Sequence, residues 1–423
     1  MKKIYPLTLI GFLSCLHPAN GLETELHGFV DTRAGVRTQN DPNQSNRSLS
    51  EIRLQLESSR YFDWGEFQAR GDFLYDNLAT DRNEIDLETG QGFFDLRELN
   101  LLFTPVDWSD IKVGRQILTW GTGDLLFIND LFPKDWNSFL LGREEEYLKA
   151  PSDAVFASFF PEIANIDVVY TPRFDADRYI DGSRVSYWNP ATQQIEGQNM
   201  VVDAERNDEW FRDSELSTRI YRDIAGYETA LYLYHGYWKS PMGANPSTGN
   251  ARFPRLNVYG LSTRGTLGKG LINFETGYYE SREDKNGSDP FVANSELRFL
   301  AGYEREIGSD FTAGLQYYLE FMLDHDDYVN GVPDSSTARD EARHVLTLRL
   351  TKMLMNQNLI LGLFVFYSPS DQDVYFRPVA TYKLTDRWTV SANANFFAGK
   401  YDYTFFGQFK DASNINLALR YSF

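Results

Sequence analysis

Polar and apolar residues alternate with a period of two over most of this chain. In the segment 51–57, for example, Ile52, Leu54 and Leu56 alternate with charged or amide side chains. A period of two is typical of a β-strand whose two faces meet different surroundings. The pattern therefore predicts an all-β fold. The same alternation runs through the segments 67–75, 296–304, 311–321, 346–351 and 415–423.

The length of these strands and the charge on their polar faces favour a transmembrane barrel. The predicted strands have about 10–14 residues, against ~5–6 in soluble sheets, and that length matches a tilted strand that crosses a bilayer. Charges of both signs on one face suit a water-filled lumen, with the apolar face against lipid. The prediction is an antiparallel up-and-down β-barrel, with a soluble sandwich, propeller or β-helix as the alternatives.

Short turns and longer polar loops alternate along the chain, as they do in outer-membrane barrels. Threading strands between these connections predicts about eighteen strands, with both chain ends on the side of the short turns. The alternation is weakest in 153–160 and 214–222, so a barrel of sixteen strands is the main competitor. The longest polar connection, 174–213, is rich in acids and is predicted to be an extracellular loop.

The charged positions of the alternating segments are candidates for lining the lumen. If the apolar positions meet lipid, their charged neighbours point inward. Charges inside a barrel bias which ions pass, and they also pair across strands and stiffen the wall. The lumen-lining candidates are Glu51, Arg53, Glu57, Arg70, Asp72, Glu98, Glu296, Arg298, Glu320, Arg349 and Arg420.

The connection 120–152 has the composition of a buried segment instead of a surface loop. It contains a run of apolar and aromatic residues from Leu125 to Leu141 that would be poorly accommodated by water. We expect it to fold into the lumen as a constriction or plug; the alternative is that it extends strands above the membrane or packs between subunits. The charged candidates at the constriction are Asp124, Asp130, Lys134, Asp135, Arg143, Glu144, Glu145 and Glu146.

Composition narrows the functional classes. Of the 423 residues, 60 are acids and 41 are Lys or Arg, giving a net charge of −19, which argues against nucleic acid as a partner. Aromatic residues reach 15%. The only cysteine, Cys15, rules out a disulfide framework and a Cys-ligated metal. No metal site or cofactor is expected, and no catalytic residues are assigned, because the histidines lack recognisable partners.

The N-terminus predicts export. Lys2 and Lys3 precede an apolar stretch, Ile4 to Leu16, that is too short to span a bilayer. Small residues follow at Ala19 and Gly21. This arrangement is typical of a cleaved signal peptide over 1–21, which leaves 22–423 as the barrel.

Two motifs carry a resemblance to known proteins. Leu419, Tyr421 and Phe423 share one face of the last strand, and this ending resembles the C-terminal signature of bacterial outer-membrane proteins that the barrel-assembly machinery reads. The stretch 113–116 (VGRQ), followed by Trp120-Gly121 and Gly123-Asp124, is similar to a motif of the alginate-export-type 18-stranded barrels. The whole mature chain thus resembles a Gram-negative outer-membrane porin.

The resemblance and the pattern together imply a channel without a chemical step. We expect passive diffusion of small polar or ionic solutes through a bacterial outer membrane, with a preference for cations. Lipid, lipopolysaccharide and the barrel-assembly machinery are the expected partners; the pattern singles out neither a substrate nor an oligomeric state. The alternatives are a substrate-specific transporter or exporter, for instance of a polysaccharide, then a barrel enzyme or an adhesive barrel.

Overall fold

The computed structural model describes residues 25–79, 83–332 and 334–423. The predicted signal peptide, 1–21, lies outside the described residues, together with Cys15. The described chain is dominated by eighteen long strands joined into one closed antiparallel sheet. The prediction of an all-β barrel of eighteen strands is confirmed, and the alternative of sixteen strands is wrong.

Each strand pairs with its neighbours along the chain, and the last pairs with the first. In that closing pair Phe29 lies opposite Ser422, and Arg37 lies opposite Asn414. The sheet therefore has no free edge, which satisfies the backbone hydrogen bonds of every strand within the barrel. The strands are β1 Glu25–Arg37, β2 Arg47–Phe62, β3 Gly65–Asp76, β4 Phe94–Val106, β5 Ser109–Ile117, β6 Pro151–Phe159, β7 Asn165–Thr171, β8 Glu215–Ile224, β9 Tyr227–Tyr237, β10 Arg255–Leu267, β11 Gly270–Ser281, β12 Glu296–Gly308, β13 Phe311–Met322, β14 Ala342–Leu354, β15 Leu359–Ser368, β16 Asp373–Lys383, β17 Trp388–Gly399 and β18 Asn414–Ser422.

The two faces of the sheet differ as the alternation predicts. On β2, Ile52 is exposed on the outer surface while its neighbours Glu51 and Arg53 are buried inside the barrel. The same holds for β13, where Leu315 points outward and Gln316 inward. Apolar side chains thus cover the outside, and polar side chains face the interior. This is the reverse of a soluble protein and the arrangement that a bilayer demands.

The two ends of the barrel differ in their connections. Turns of a few residues join strands at the end that carries both termini; in the β8–β9 turn, Ala225 and Gly226 adopt positive φ angles of 56° and 86°, which suits the twist of a tight hairpin. The exposed tryptophans Trp64, Trp108 and Trp388 lie at this short-turn end, where membrane barrels carry an aromatic girdle. All the long loops lie at the opposite, long-loop end.

Helices play a small part in the described chain. Two are α-helical, α1 Trp136–Leu141 and α2 His325–Gly331. Short 3-10 turns cover Glu145–Leu148, Ser335–Thr337 and Gly407–Ala412. Among the described residues, no helix has both the length and the apolar character needed to cross a bilayer.

The main apolar core lies inside the barrel. It joins the connection between β5 and β6, residues 118–150, to aromatic and aliphatic side chains on the inner wall. We call this connection the inward segment. Ile128 and Leu141 of the segment and Tyr279 of β11 are among the largest fully buried side chains of this core. Burying a side chain of this size contributes ~1.5–3 kcal/mol, so the core strongly favours the segment's position in the lumen.

Deleting Phe423 should reduce insertion of the barrel into the outer membrane. The residue completes the pairing of the chain ends, since its N–H donates to the Gly28 carbonyl (3.0 Å) and its carbonyl accepts from the Gly28 N–H (3.1 Å). Its ring extends the outer face of β18, beyond Leu419 and Tyr421. The measurement is the fraction of heat-modifiable protein in isolated outer membranes. Phe423→Tyr, which keeps the ring, is the control; equal folded levels for the deletion and the control would contradict the prediction.

Candidate functional site

The start of the inward segment is held by one buried carboxylate on the inner wall. Glu275 of β11 accepts hydrogen bonds from the backbone N–H groups of Thr122 and Gly123, the latter at 2.9 Å. Its other oxygen accepts from the backbone N–H (3.3 Å) and side-chain amide (3.2 Å) of Asn129. Four donors therefore converge on one side chain. A charged acceptor strengthens each bond, so Glu275 anchors the segment to the wall.

Gln316 of β13 fixes the next residue of the segment. Its side-chain oxygen accepts from the Asp124 N–H at 2.8 Å, and its side-chain nitrogen donates to the Asp124 carbonyl at 3.0 Å. These two bonds hold the backbone of Asp124 against the inner wall at β13. The Asp124 carboxylate is left free to reach Arg349 of β14.

The turn after α1 brings the segment against the opposite wall. Asp135 caps α1 by accepting from the Ser138 N–H at 2.7 Å, and Gly142 ends the helix with a φ of 83°. A Cβ at Gly142 would lie 2.4 Å from the side-chain nitrogen of Asn416 and 2.7 Å from that of Asn395. Position 142 therefore requires glycine both for its conformation and for its close approach to the wall.

Wall arginines meet carboxylates from the start of the inward segment and from the residues that follow Gly142. Arg349 Nε lies 2.5 Å from Asp124, and its guanidinium also reaches Glu145 at 3.1 Å. Glu145 is 3.3 Å from Arg377 of β16. Glu144 is 2.5 Å from Arg420 of β18 and 3.4 Å from Arg33 of β1. We call this set the arginine–carboxylate network; it comprises Arg33, Arg349, Arg377 and Arg420 with Asp124, Glu144 and Glu145.

Within the network the carboxylates are the more exposed partners. Glu145 retains 46% of its side-chain exposure while Arg377 retains 6%. Glu144 retains 28% while Arg33 retains 3%. Glu146, next along the segment, is also exposed. In each pair of the network the acid is therefore more exposed than its arginine partner, although Arg349 and Arg420 also contact water and the arginines outnumber the carboxylates four to three.

Burial changes the proton affinity of two of these carboxylates. It raises the pKa of Glu144 above the ordinary value for a glutamate, with Arg420 and Arg33 opposing the shift. It likewise raises the pKa of Asp124, opposed by Arg349. Both carboxyl groups consequently take up protons at a higher pH than a free side chain would.

The other charged residues of the inward segment are buried in ion pairs. Lys134 Nζ lies 2.9 Å from Asp130, and both side chains are almost fully buried. Asp135 is 3.4 Å from Arg178, whose guanidinium also binds Asp95 of β4 at 2.8 Å. Burial alone would lower the pKa of Arg178, but Asp95 and Asp135 raise it. The Asp135–Arg178 pair joins the segment to the connection between β7 and β8, residues 172–214.

The structure divides the sequence-predicted constriction residues into two groups. Asp124, Glu144 and Glu145 belong to the network, Glu146 is exposed beside it, and Arg143 binds Glu51 of β2 at 2.7 Å. Asp130, Lys134 and Asp135 form the buried pairs toward the long-loop end. Only the residues of the first group contact the arginine–carboxylate network or the charged residues of the wall beside it.

The lumen-lining candidates lie on the inner faces of their strands. Several pair with each other: Arg53 with Asp72 at 2.5 Å and Arg70 with Glu98 at 3.0 Å across strands, and Arg298 with Glu296 at 2.7 Å along β12. The cross-strand pairs are the wall-stiffening alternative, and they coexist with the network. The remaining candidates are placed as follows: Glu51 binds Arg143, Glu57 accepts from Gln68, Glu320 binds Arg298 and Arg339, and Arg349 and Arg420 bind the inward segment.

Part of the acid-rich connection 174–213 is folded into the barrel mouth. Asp177 accepts from the Lys134 N–H at 2.8 Å and from the Trp136 indole at 3.0 Å. Burial raises the pKa of Asp175 to about 6. Glu196 and Asp213 are also buried. Only a fraction of the acids counted in this loop therefore faces the surrounding water.

Two functional positions escaped the sequence analysis of the candidate site. Arg33 and Arg377 are wall arginines of the network. Strand alternation was a usable signal for Arg33, which shares the inner face of β1 with Asp31. Arg377 follows an aromatic-rich stretch in which both faces are apolar, so polarity gave no signal there.

Glu275→Gln should loosen the start of the inward segment. The amide keeps one acceptor but turns an NH₂ group toward donors, and leaving a buried donor unsatisfied costs about 1–3 kcal/mol. Hydrogen exchange of the peptide that covers 118–130 should accelerate by about tenfold or more. Glu280→Gln, on the outer face of the same strand, is the matched control. Identical exchange in both variants would show that Glu275 does not hold the segment.

The histidines considered for catalysis have ordinary structural surroundings. His344 Nδ1 lies 2.8 Å from the Tyr317 hydroxyl, His235 Nδ1 lies 2.9 Å from Asn257, and His325 Nε2 lies 2.8 Å from the Arg339 carbonyl. Within the described ranges there is no group of three or more His, Cys, Asp or Glu side chains placed to hold a metal ion.

Comparison with known proteins gives similarity in structure only. No protein-family model matches the chain, and no curated protein sequence matches it. OccAB1 of Acinetobacter baumannii has a TM-score of 0.55 at 8% identity, covering 95% of this chain and 96% of its own. OccK3 (OpdO) of Pseudomonas aeruginosa has a TM-score of 0.54 at 12% identity, with coverages of 94% and 96%. OccK5 (OpdH) of the same organism has a TM-score of 0.52 at 11% identity, with coverages of 95% and 98%.

These structural neighbours are Gram-negative outer-membrane porins. The fold is that of the outer-membrane porins. The resemblance inferred from the sequence therefore holds at the level of the fold, over almost the whole length of both chains. At these identities the likeness carries no information about solutes, so the functional argument rests on the barrel interior itself.

Proposed function

We propose that this protein is a channel of the bacterial outer membrane through which small polar or ionic solutes diffuse, with a preference for cations. The observation that carries the preference is the exposure difference in the arginine–carboxylate network. In each pair the acid is more exposed to water than its arginine partner. Exposed negative charge in a narrow lumen concentrates cations and repels anions.

The lipid-facing surface and the porin fold support the membrane location. Apolar side chains such as Leu315 and Leu417 cover the outside of the barrel, and exposed tryptophans lie at its short-turn end. In membrane barrels with these features the short turns lie in the periplasm and the long loops outside the cell. The inward segment then reaches the lumen from the extracellular side.

A substrate-specific transporter is the second candidate. The feature that favours it is an apolar and aromatic cavity at the long-loop end, with a volume of about 830 Å³. Water-filled diffusion pores have polar interiors, so such a cavity suggests that the channel also recognises an organic solute.

Recordings from the purified protein in planar bilayers test the proposed function. We expect discrete single-channel currents, and a reversal potential under a KCl gradient whose sign shows that K⁺ passes more readily than Cl⁻. The preference should weaken in ~1 M salt, where the screening length falls to about 3 Å. An absence of current from correctly folded protein would contradict the channel. A clear preference for Cl⁻ at low salt would contradict the cation preference and would favour the transporter of an acidic polysaccharide.

A further inference from the structure

The inward segment packs tightly against one part of the inner wall. Gly260 of β10 and Gly277 of β11 lie opposite each other on the inner face of the sheet. A Cβ at Gly260 would overlap the side chain of Asn129. A Cβ at Gly277 would lie 2.8 Å from Ile128. The segment therefore leaves no space between itself and the wall at these two glycines.

The wall of β13 and β15 is more open. The glycines on its inner face are Gly314 and Gly362. The three atoms nearest to a Cβ at Gly314 all belong to Glu304, at 3.5–3.7 Å. A Cβ at Gly362 would meet only Val379, at 3.8 and 4.0 Å, so no described atom of the inward segment comes within 4 Å of it. Space for water and ions therefore remains between the segment and this part of the wall.

The inner-face residues of neighbouring strands lie side by side in rows. The row at the arginine–carboxylate network is Glu304 of β12, Gly314 of β13, Arg349 of β14 and Phe364 of β15. The next row toward the short turns is Glu306, Thr312, Thr351, Gly362 and Val379. Arg349 is the only basic residue in the two rows, and Asp124 and Glu145 already bind it. This part of the wall is therefore acidic.

Glu304 is exposed on the lumen side of this wall. In the described chain it has no basic partner within 4 Å, whereas Asp124 and Glu145 share Arg349. Gly314 puts no side chain between Glu304 and Arg349, and strands ~4.7–4.9 Å apart place their backbones about 10 Å from each other. Burial raises the pKa of Asp124 against the opposing charge of Arg349, and the charges of Glu145 and Glu304 add to this rise. Glu304 therefore acts on the same region of the lumen as the two acids of the segment.

We propose that ions pass the inward segment along the inner face of β12–β15, and that Glu304 is a selectivity-determining residue of this path. Glu145 retains 46% of its side-chain exposure on the segment, and Glu304 is exposed on the wall. A cation that passes between them meets negative charge on both sides, whereas an anion is repelled. The inference deepens the proposed function and rests on it, because a selective path requires a conducting channel.

Glu304→Gln should lower the ratio of K⁺ to Cl⁻ permeability about twofold, the effect of one charge that acts across ~10 Å of water. Glu304→Asp keeps the charge and should keep the ratio. Reversal potentials under a KCl gradient at ~0.1 M salt measure both variants.

Asp110→Asn is the matched control for the loss of one acid. Asp110 lies on the inner face of β5, opposite Ser158 of β6 and seven strands away from β12 around the barrel. Its loss should change the permeability ratio less than the loss of Glu304. An unchanged ratio in Glu304→Gln, or an equal fall in Glu304→Asp or Asp110→Asn, would overturn the role of Glu304.

A cysteine at Thr351 tests the path itself. Thr351 lies beside Gly362 on the open wall. Cys15 is the only cysteine of the sequence, so Thr351→Cys carries the only thiol outside the predicted signal peptide. Reaction with 2-(trimethylammonium)ethyl methanethiosulfonate should reduce the single-channel current, because the added group occupies the path. Gln68→Cys, on the inner face of β3 across the barrel, is the control and should keep its current. A current that survives complete modification of Thr351→Cys would overturn the path.

The rates of thiol modification separate this inference from the proposed function, because mass spectrometry reads them without any current. In folded Thr351→Cys, the rate with the cationic reagent is divided by the rate with 2-sulfonatoethyl methanethiosulfonate, its anionic counterpart. Adding Glu304→Gln should lower this ratio about twofold. If folded barrels carry no current, the proposed function fails, and a lowered rate ratio still supports the acidic wall at Glu304. If the channel conducts and both ratios are unchanged in Glu304→Gln, the role of Glu304 fails and the channel stands.

Discussion

Removing residues 124–146 and joining the ends with a short Gly-Ser linker should raise the single-channel conductance severalfold. The inward segment crosses the lumen from its anchor at Glu275 to the wall at Asn416. It fills the interior with buried side chains such as Ile128 and Leu141. The closed sheet of eighteen strands does not depend on the segment for its backbone hydrogen bonds. The deletion should therefore leave a wider, water-filled barrel.

The measurement is the conductance of the deletion variant in planar bilayers, after heat modifiability and circular dichroism have shown that the barrel is folded. Removing 245–250, the tip of another loop at the same end, is the control, and it should leave the conductance close to that of the original protein. A folded deletion variant with unchanged conductance would mean that ions pass by a route that the segment does not obstruct.

The strands could be predicted from the sequence because their faces meet opposite environments. The alternation of polar and apolar residues follows the alternation of inward and outward positions, for example at Glu51 and Ile52. Even the weakest segments are strands: β6 pairs with β5 and β7, and β8 pairs with β7 and β9. In β8 the outward Leu216 and the inward Ser217 do alternate. A barrel must close, so hydrogen bonding from both neighbours fixes strands whose own pattern is faint.

The aromatic part of the inner wall could not be predicted in the same way. Tyr278 and Tyr279 are consecutive, so polarity does not show which of them faces the lumen. Tyr279 is fully buried because the inward segment packs on it, and its hydroxyl donates to the Ile128 carbonyl. That burial depends on a contact between residues about 150 positions apart, which no local pattern contains.

The acid-rich composition of the outer loop is an incomplete guide to the ion preference of the channel. Asp177 is buried by contacts with Lys134 and Trp136, so it adds little to the field at the barrel mouth. The network acids Glu144, which is half-buried, and Glu145, which is exposed, could be identified only as charges in an unusually apolar connection. Which member of an ion pair meets water is a property of packing, and composition does not report it.

Neutralising Glu144 and Glu145 should reverse the ion preference of the channel. Both carboxylates cover wall arginines: Arg33 and Arg420 lie beside Glu144, and Arg377 lies beside Glu145. Glutamine at both positions removes two of the three carboxylates of the network. Arg377 loses the carboxylate that it pairs with, whereas Arg33 and Arg420 keep Asp31 and Arg349 keeps Asp124. The network then has a large excess of positive charge, and Cl⁻ should pass more readily than K⁺.

Reversal potentials under a KCl gradient measure this change. The double variant Glu144→Gln/Glu145→Gln should give a potential of opposite sign at ~0.1 M salt, where charges interact over about 10 Å, and the difference should shrink in ~1 M salt. Glu209→Gln, in an exposed ion pair with Arg212 on the outer loop, is the control. We expect it to keep the original sign, because its charge is remote from the network and open to solvent screening.

Acidification should also weaken the preference of the original channel for K⁺ over Cl⁻. Burial raises the pKa of Glu144 and of Asp124, so both charges are present above these raised values and are lost as the pH falls through them. The loss should begin at a higher pH than for a free carboxylate. In the double variant the contribution of Glu144 is absent, so its reversal potential should depend less on pH over this range. A cation preference that survives both the substitutions and acidification would show that the selecting charges lie elsewhere in the lumen.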